Sequence, residues 1–161
     1  MHTSTALRQA LGHFATGVTV MTTRTPGGEP IGVTVNSFNS VSLDPPLVLW
    51  SLARKAYSCP AFDREGHFAV HVLAADQHHL STRFAQAGHD KFAGLTLAEG
   101  VAGVPLLADC AAVFQCQTVA RHEGGDHVIL LGKVLTYQCA ERPPLLFHRG
   151  RYVLPPQAVA A

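Results

Sequence analysis

At 161 residues the chain is long enough for one domain with a real core and short for two. Hydrophobic residues make up 47% and charged residues only 14%, against ~25% in typical soluble domains, which points to surface buried in an oligomer. The net charge of +1, with no Lys- or Arg-rich run, removes the electrostatic attraction on which nucleic-acid binding depends. No stretch approaches the ~20 apolar residues of a membrane span, and the N-terminus lacks the apolar core and cleavage pattern of a signal peptide. A cytoplasmic chain that engages neither nucleic acid nor membrane is expected. Cys59, Cys110, Cys116 and Cys139 have no paired spacing, so all four are expected to be reduced and buried as small hydrophobes.

In chain order, residues 5–14 read as a short amphipathic helix, with Ala6, Leu7, Ala10, Leu11 and Phe14 at helical spacing and Thr3, Ser4 or Thr5 as cap. Residues 18–23 are rich in β-branched side chains and predict a strand. Residues 25–30 are a Gly/Pro turn, and 31–38 the returning strand of a hairpin. Asp44, Pro45 and Pro46 turn the chain into residues 47–52, an apolar run suited to a buried strand. Residues 57–65 predict a helix opened by Ser58, with Pro60 in its first turn and Gly66 as its stop. A strand over 67–73 leads to a helix over 76–86 capped by Asp76, and then to a loop-rich stretch over 88–105. Strands over 113–122 and 127–138 flank a turn at 123–126. A break at 142–144 precedes residues 145–147, residues 148–152 read as a last turn and short strand, and residues 155–161 read as a dispensable tail. Six or more short strands with few helices argue for a closed antiparallel β-barrel with peripheral helices, as one domain over 1–161.

The chemistry-bearing stretch is 32–58, GVTVNSFNSVSLDPPLVLWSLARKAYS. It sets Thr34, Asn36, Ser37, Ser40, Ser51 and Ser58 among β-rich runs and places Arg54 and Lys55 after the second of them. Hydroxyls and amides can bond the edge of a flat polar heterocycle, and the two cations can neutralise a phosphate. There is no acidic pair, CxxC or GxGxxG, so the reactive group is expected to be a bound cofactor rather than a side chain. Thr34 and Asn36 alternate along a strand and share a face. Further on, Arg83 could fork onto a phosphate and Lys91 act as a point charge, with Ser81 beside them. Phe84, Phe92 and Trp50 read as core anchors next to these segments. His127, in Gly-Gly-Asp-His, opens a strand beside a flexible glycine turn. It is either a catalytic imidazole at the cavity mouth or a hairpin histidine exposed to water. His67 and His71 share a strand face while His78 and His79 point apart, and no Cys or carboxylate stands at helpful spacing, so no metal site is expected.

Five blocks carry a family likeness: TGVTVMTT, the 32–58 stretch, DKFAGL, GGDHVILLGKV and PPLLFHRGRY. Their order resembles the short-chain flavin reductase family, flavin-reductase-like proteins of the FMN-binding split-barrel fold. The likeness runs from about residue 7 to residue 154, nearly the whole chain. It implies hydride transfer from NADH or NADPH to FMN or FAD, in a homodimer that hands reduced flavin to a flavin-dependent monooxygenase. It places Val33, Thr34, Val35, Asn36 and Ser37 along the isoalloxazine. Trp50, Ser51, Leu52, Ala53, Arg54, Lys55 and Ser58 would follow the ribityl and phosphate. Ser81, Arg83, Phe84, Lys91 and Phe92 would stand round the flavin, with Gly125, Asp126, His127 and Tyr152 on the nicotinamide side. Two alternatives stay open: reduction of another acceptor, such as a corrinoid or ferric chelate, and flavin binding without turnover.

Overall fold

A computed structural model describes residues 4–64, 66–88 and 90–155. Helix α1 (Ser4–Leu11) is followed by the two-residue strand β1 (Thr16–Gly17), then β2 (Thr19–Arg24) and β3 (Pro30–Val35). The expected hairpin joins β2 to β3, with Gly28 at φ +85° and its N–H bonded to Thr25 C=O at 2.8 Å. Next come β4 (Asn39–Leu43), β5 (Pro46–Ala53), α2 (Cys59–Arg64) and β6 (His67–Val72). A 3₁₀ turn over Ala75–Gln77 leads into α3 (His78–Ala85), and the short strands β7 (Leu97–Glu99) and β8 (Pro105–Leu107) follow. The long hairpin of β9 (Ala112–Gly124) and β10 (His127–Cys139) precedes β11 (Leu146–His148) and β12 (Arg151–Val153). Among the described residues no helix is long and apolar enough to cross a membrane.

The fold is mainly β with few helices. Seven strands form one antiparallel sheet in the order β3-β2-β6-β9-β10-β5-β4, with β1-β11-β12 and β7-β8 as smaller sheets. The closed barrel expected from the strand count is not formed: β3 and β4 end the order, and no ladder joins them among the described residues. The reason is the shortness of β4, which pairs β5 only between Asn39↔Leu49 and Leu43↔Pro46. Past Leu49 that edge of β5 meets a side chain instead of a strand. The Ser37 hydroxyl, just beyond β3, donates to Ser51 C=O at 3.1 Å and accepts from Ser51 N–H at 2.9 Å.

Strand β5 shows period-two burial, with Val48, Trp50 and Leu52 buried and Leu47, Leu49, Ser51 and Ala53 on the other face. Trp50 sits edge-on to Phe62, ring centroids 4.9 Å apart, in a cluster with Met21, Phe68, Val70 and Leu130. A second cluster joins Val20, Leu73, Leu80, Phe84, Leu107 and Leu145 under α3. His71 is fully buried and holds two strands: Nδ1–H donates to Val20 C=O at 3.0 Å, and Nε2 accepts from Leu107 N–H at 3.1 Å. Burial lowers its pKa to about 4, so the ring is neutral in that one tautomer.

Several boundaries differ from expectation. Asp76 does not cap α3, because its carboxylate bonds Arg142 at 2.6 Å. Instead, Gln77 Oε1 accepts the Ala74 N–H at 3.0 Å. The expected strand over 31–38 ends at Val35, β7 arises inside the stretch expected as loop over 88–105, and β4 and β8 form over 39–43 and 105–107, where no strand is expected. Cys139 is exposed, whereas Cys59, Cys110 and Cys116 are buried; burial pushes the Cys110 and Cys116 thiols up to about 11 and about 12. The Thr3 cap, the last residue of the helix expected over 57–65, and all but the first residue of the expected tail lie outside the described residues.

Candidate active site

The gap where the sheet fails to close is lined by a cavity of about 250 Å³. Val33, Thr34, Val35, Asn36 and Ser37 form one wall, Ser51, Leu52, Ala53 and Ala56 the other, and His127 closes the end. Two strand edges without a neighbouring strand face each other here; on β5 the Ser37 hydroxyl takes the Ser51 N–H and C=O, and Ala56 N–H donates to Ala53 C=O at 2.9 Å, so open backbone groups come from the β3 edge. Asn36 is exposed, and its amide has no hydrogen-bond partner among the described residues, leaving a donor and an acceptor for a ligand. The Thr34 hydroxyl is already committed, donating to Ser81 C=O at 2.7 Å and tying β3 to α3.

A second cavity of about 190 Å³ shares Thr34, Val35 and Asn36 with the first and adds Val18, Ser81, Ala85, Phe147 and Tyr152. Ser81 Oγ and Tyr152 Oη are 2.8 Å apart, so α3 and β12 meet at this wall. A third cavity, of about 280 Å³, continues along β3 past Ile31 and Gly32 to Tyr57, Lys91 and Phe92.

His127 is the first residue of β10, paired with Ala53 on β5. The turn before it needs Gly125 at φ +72°. His127 Nδ1 lies 2.7 Å from Asp126 Oδ1, and its side chain is 42% exposed, so the ring is reachable from the cavity. The hydrogen bond from His127 and its charge, with a smaller contribution from Lys55, hold the Asp126 carboxyl below the ordinary carboxylate range. With Nδ1–H donating to Asp126, the neutral ring presents Nε2 as an acceptor, and the protonated ring presents it as a donor.

The remaining expected residues divide by location. Trp50, Ser58 and Phe84 are buried in the protein, and Trp50 faces the core side of β5, away from the Ser51 side. Arg54 Nη2 pairs with Glu123 Oε2, and Lys55 beside it is exposed. Arg83 is turned onto the backbone carbonyls of Ala93 and Asp90, bracing the loop after α3. Lys91 Nζ donates to Gly32 C=O at 3.2 Å and Phe84 C=O at 3.0 Å, and desolvation lowers its pKa. The close packing of β3 on α3 demands Gly32, because a Cβ there would lie 2.5 Å from Phe84 Cε1. Ala56, Ala85, Val18 and Phe147 line the cavities without having been singled out, since small and apolar residues carry no polar signature. Glu123 was likewise passed over as a turn residue.

Residues 11–154 match the flavin reductase like domain, and the chain belongs to that family. It is 50% identical over 149 residues to the FMN reductase (NADH) SmoA of Agrobacterium fabrum, covering 92% of this chain and 84% of that one. It is 43% identical over 149 residues to the reductase component of the flavin-dependent trigonelline monooxygenase of Acinetobacter baylyi, covering 92% of this chain but 48% of the relative, about half its length. Among solved structures, the NADH:FAD oxidoreductase SgcE6 of Streptomyces globisporus C-1027, in complex with NAD and FAD fragments, superposes with a TM-score of 0.90 at 39% identity. That match covers 96% of this chain and 94% of that one.

Proposed function

We propose that the chain acts as a single-domain NADH-dependent flavin reductase, with FMN as its first acceptor, and passes reduced flavin to a separate flavin-dependent monooxygenase. The observation that carries this is the composition of the 250 Å³ cavity. Its polar groups are hydroxyls, one amide and strand-edge backbone, and among the described residues His127 is the single titratable side chain lining it. A flavin fits that donor set. Its pyrimidine edge alternates carbonyls with an N–H, which the Asn36 amide and the outer edge of β3 can match, while Val33 and Val35 offer an apolar wall to the ring face.

When bound, the flavin supplies the two-electron chemistry by accepting hydride from the nicotinamide. Asn36 and the β3 edge would fix the ring edge, and the apolar wall would keep water off its face. His127, steadied by Asp126, hydrogen-bonds the nicotinamide carboxamide through Nε2 and so orients the donor. It need not transfer a proton in the hydride step. NADH as donor and a monooxygenase as consumer are supported by the relatives named above.

A homodimer is supported by a separate face. A cavity of about 660 Å³ opens between β4, the start of β5, and the far ends of β9 and β10, with no charged side chain among its described lining residues. Leu43 at its rim is 94% exposed and Tyr137 is 68% exposed, a large uncovered apolar surface for one small domain. A second copy brings an equally uncharged face without like-charge repulsion. The unpaired cysteines support a cytoplasmic setting.

Anaerobic mixing tests the proposal. NADH should bleach the absorbance of protein-bound FMN in a single turnover, and an unbleached spectrum would refute it.

A further inference from the structure

Arg54 follows Ala53 on the cavity wall, and its guanidinium pairs with Glu123 on β9. Strand β10, which begins at His127, lies between β5 and β9, so the Arg54 side chain spans it. A second contact fastens the same hairpin, with Arg54 N–H donating to Asp126 C=O at 3.0 Å. The backbone contact does not depend on where the guanidinium points. The ion pair does, and with side chains 42% and 87% exposed it is held in water and is readily exchanged. A phosphate offers a guanidinium the same forked acceptor geometry as a carboxylate, with more charge.

We propose that Glu123 determines flavin selectivity by competing with the phosphate of the ligand for Arg54. The inference rests on the reading of the cavity as a flavin site. A ligand ending in a phosphomonoester dianion must displace Glu123 to reach Arg54, whereas riboflavin, which lacks the phosphate, has nothing to displace. Glu123 therefore lowers affinity for FMN selectively. The 2′-phosphate of NADPH is the other source of the same dianion.

The test is equilibrium titration of flavin fluorescence with FMN and with riboflavin, on the wild-type chain, Glu123→Gln, Arg54→Gln and the double variant, alongside KM for NADH and NADPH. Glu123→Gln is isosteric at an exposed position, so the fold is preserved. It should tighten FMN about two- to fivefold and leave riboflavin and the NADPH/NADH ratio unchanged. Arg54→Gln should bring FMN toward riboflavin, and Glu123→Gln should have no further effect in that background. A gain confined to the NADPH/NADH ratio would overturn Glu123 as a determinant of flavin selectivity and assign the dianion to the nucleotide. Glu123→Gln moving both flavins alike, moving no ratio, or acting equally without Arg54 would overturn the inference while the flavin site stands. A wild-type chain that binds neither flavin would overturn both.

Discussion

Ser37 and Ser51 face each other across the one place where the large sheet fails to close. The single Ser37 hydroxyl takes both backbone groups of Ser51, accepting at 2.9 Å and donating at 3.1 Å. It does the work of a strand neighbour without the bulk of one. The cavity exists because a side chain, not a ladder, spans the gap. Ser37→Ala would leave the Ser51 N–H and C=O without their partner, at a cost of about 1–2 kcal/mol in urea denaturation. It should also weaken FMN binding about tenfold in a fluorescence titration, the equivalent of one lost hydrogen bond and a looser wall.

His127 is proposed to orient the nicotinamide. His127→Gln should raise KM for NADH about tenfold, at least as much as it lowers kcat, and change FMN affinity by less than about twofold. Steady-state kinetics at saturating FMN checks this, and a loss confined to kcat would place His127 in the chemical step instead.

His71 makes stability depend on pH. The unfolded imidazole titrates at 6.5 and the buried one at about 4, so above 6.5 both states are neutral and the ring adds no slope. Between those values the unfolded chain takes up a proton that the folded chain refuses, and stability falls as pH drops through the window. The full effect is about 3 kcal/mol. Urea melts across that range should show it. His71→Phe should remove this part of the slope but lower stability at neutral pH by about 2 kcal/mol, because Val20 C=O and Leu107 N–H lose their partner.

Gly32→Ala should force Phe84 aside and cost about 1–3 kcal/mol of overpacking, read as a lowered Tm. Phe84→Leu in the same chain should recover part of the loss. Recovery would be absent if Gly32 mattered for backbone freedom and not for space.

Leu43→Glu should convert the proposed homodimer to a folded monomer in sedimentation velocity. Leu43 is 94% exposed in the single chain, so the substitution costs the isolated fold little. An unchanged sedimentation coefficient would rule out this face as the interface.

Much of the fold was legible because its signals are local. The β2–β3 hairpin announced itself through β-branched runs around a Gly/Pro turn, and His127 at the head of β10 through the glycines before it. Strand β4 was not legible. Its Asn39, Ser40 and Ser42 resemble a loop, and it forms because β5 offers an edge, a tertiary effect that propensity does not carry. The closed barrel was expected by counting strands, but closure depends on the register and length of β4, which no strand count contains. At the site, the hydroxyl and amide cluster of β3 and β5 could be picked out by residue type. The roles of Arg54, Arg83 and Lys91 could not, since a cation looks the same whether it awaits a phosphate or braces a carbonyl.

The most direct measurement is NADH consumption by the purified protein under air as FMN is added. A rate that rises with FMN and saturates is the expected result and identifies flavin as the acceptor. A chain that binds FMN yet leaves NADH untouched at every flavin concentration would contradict hydride transfer as its function.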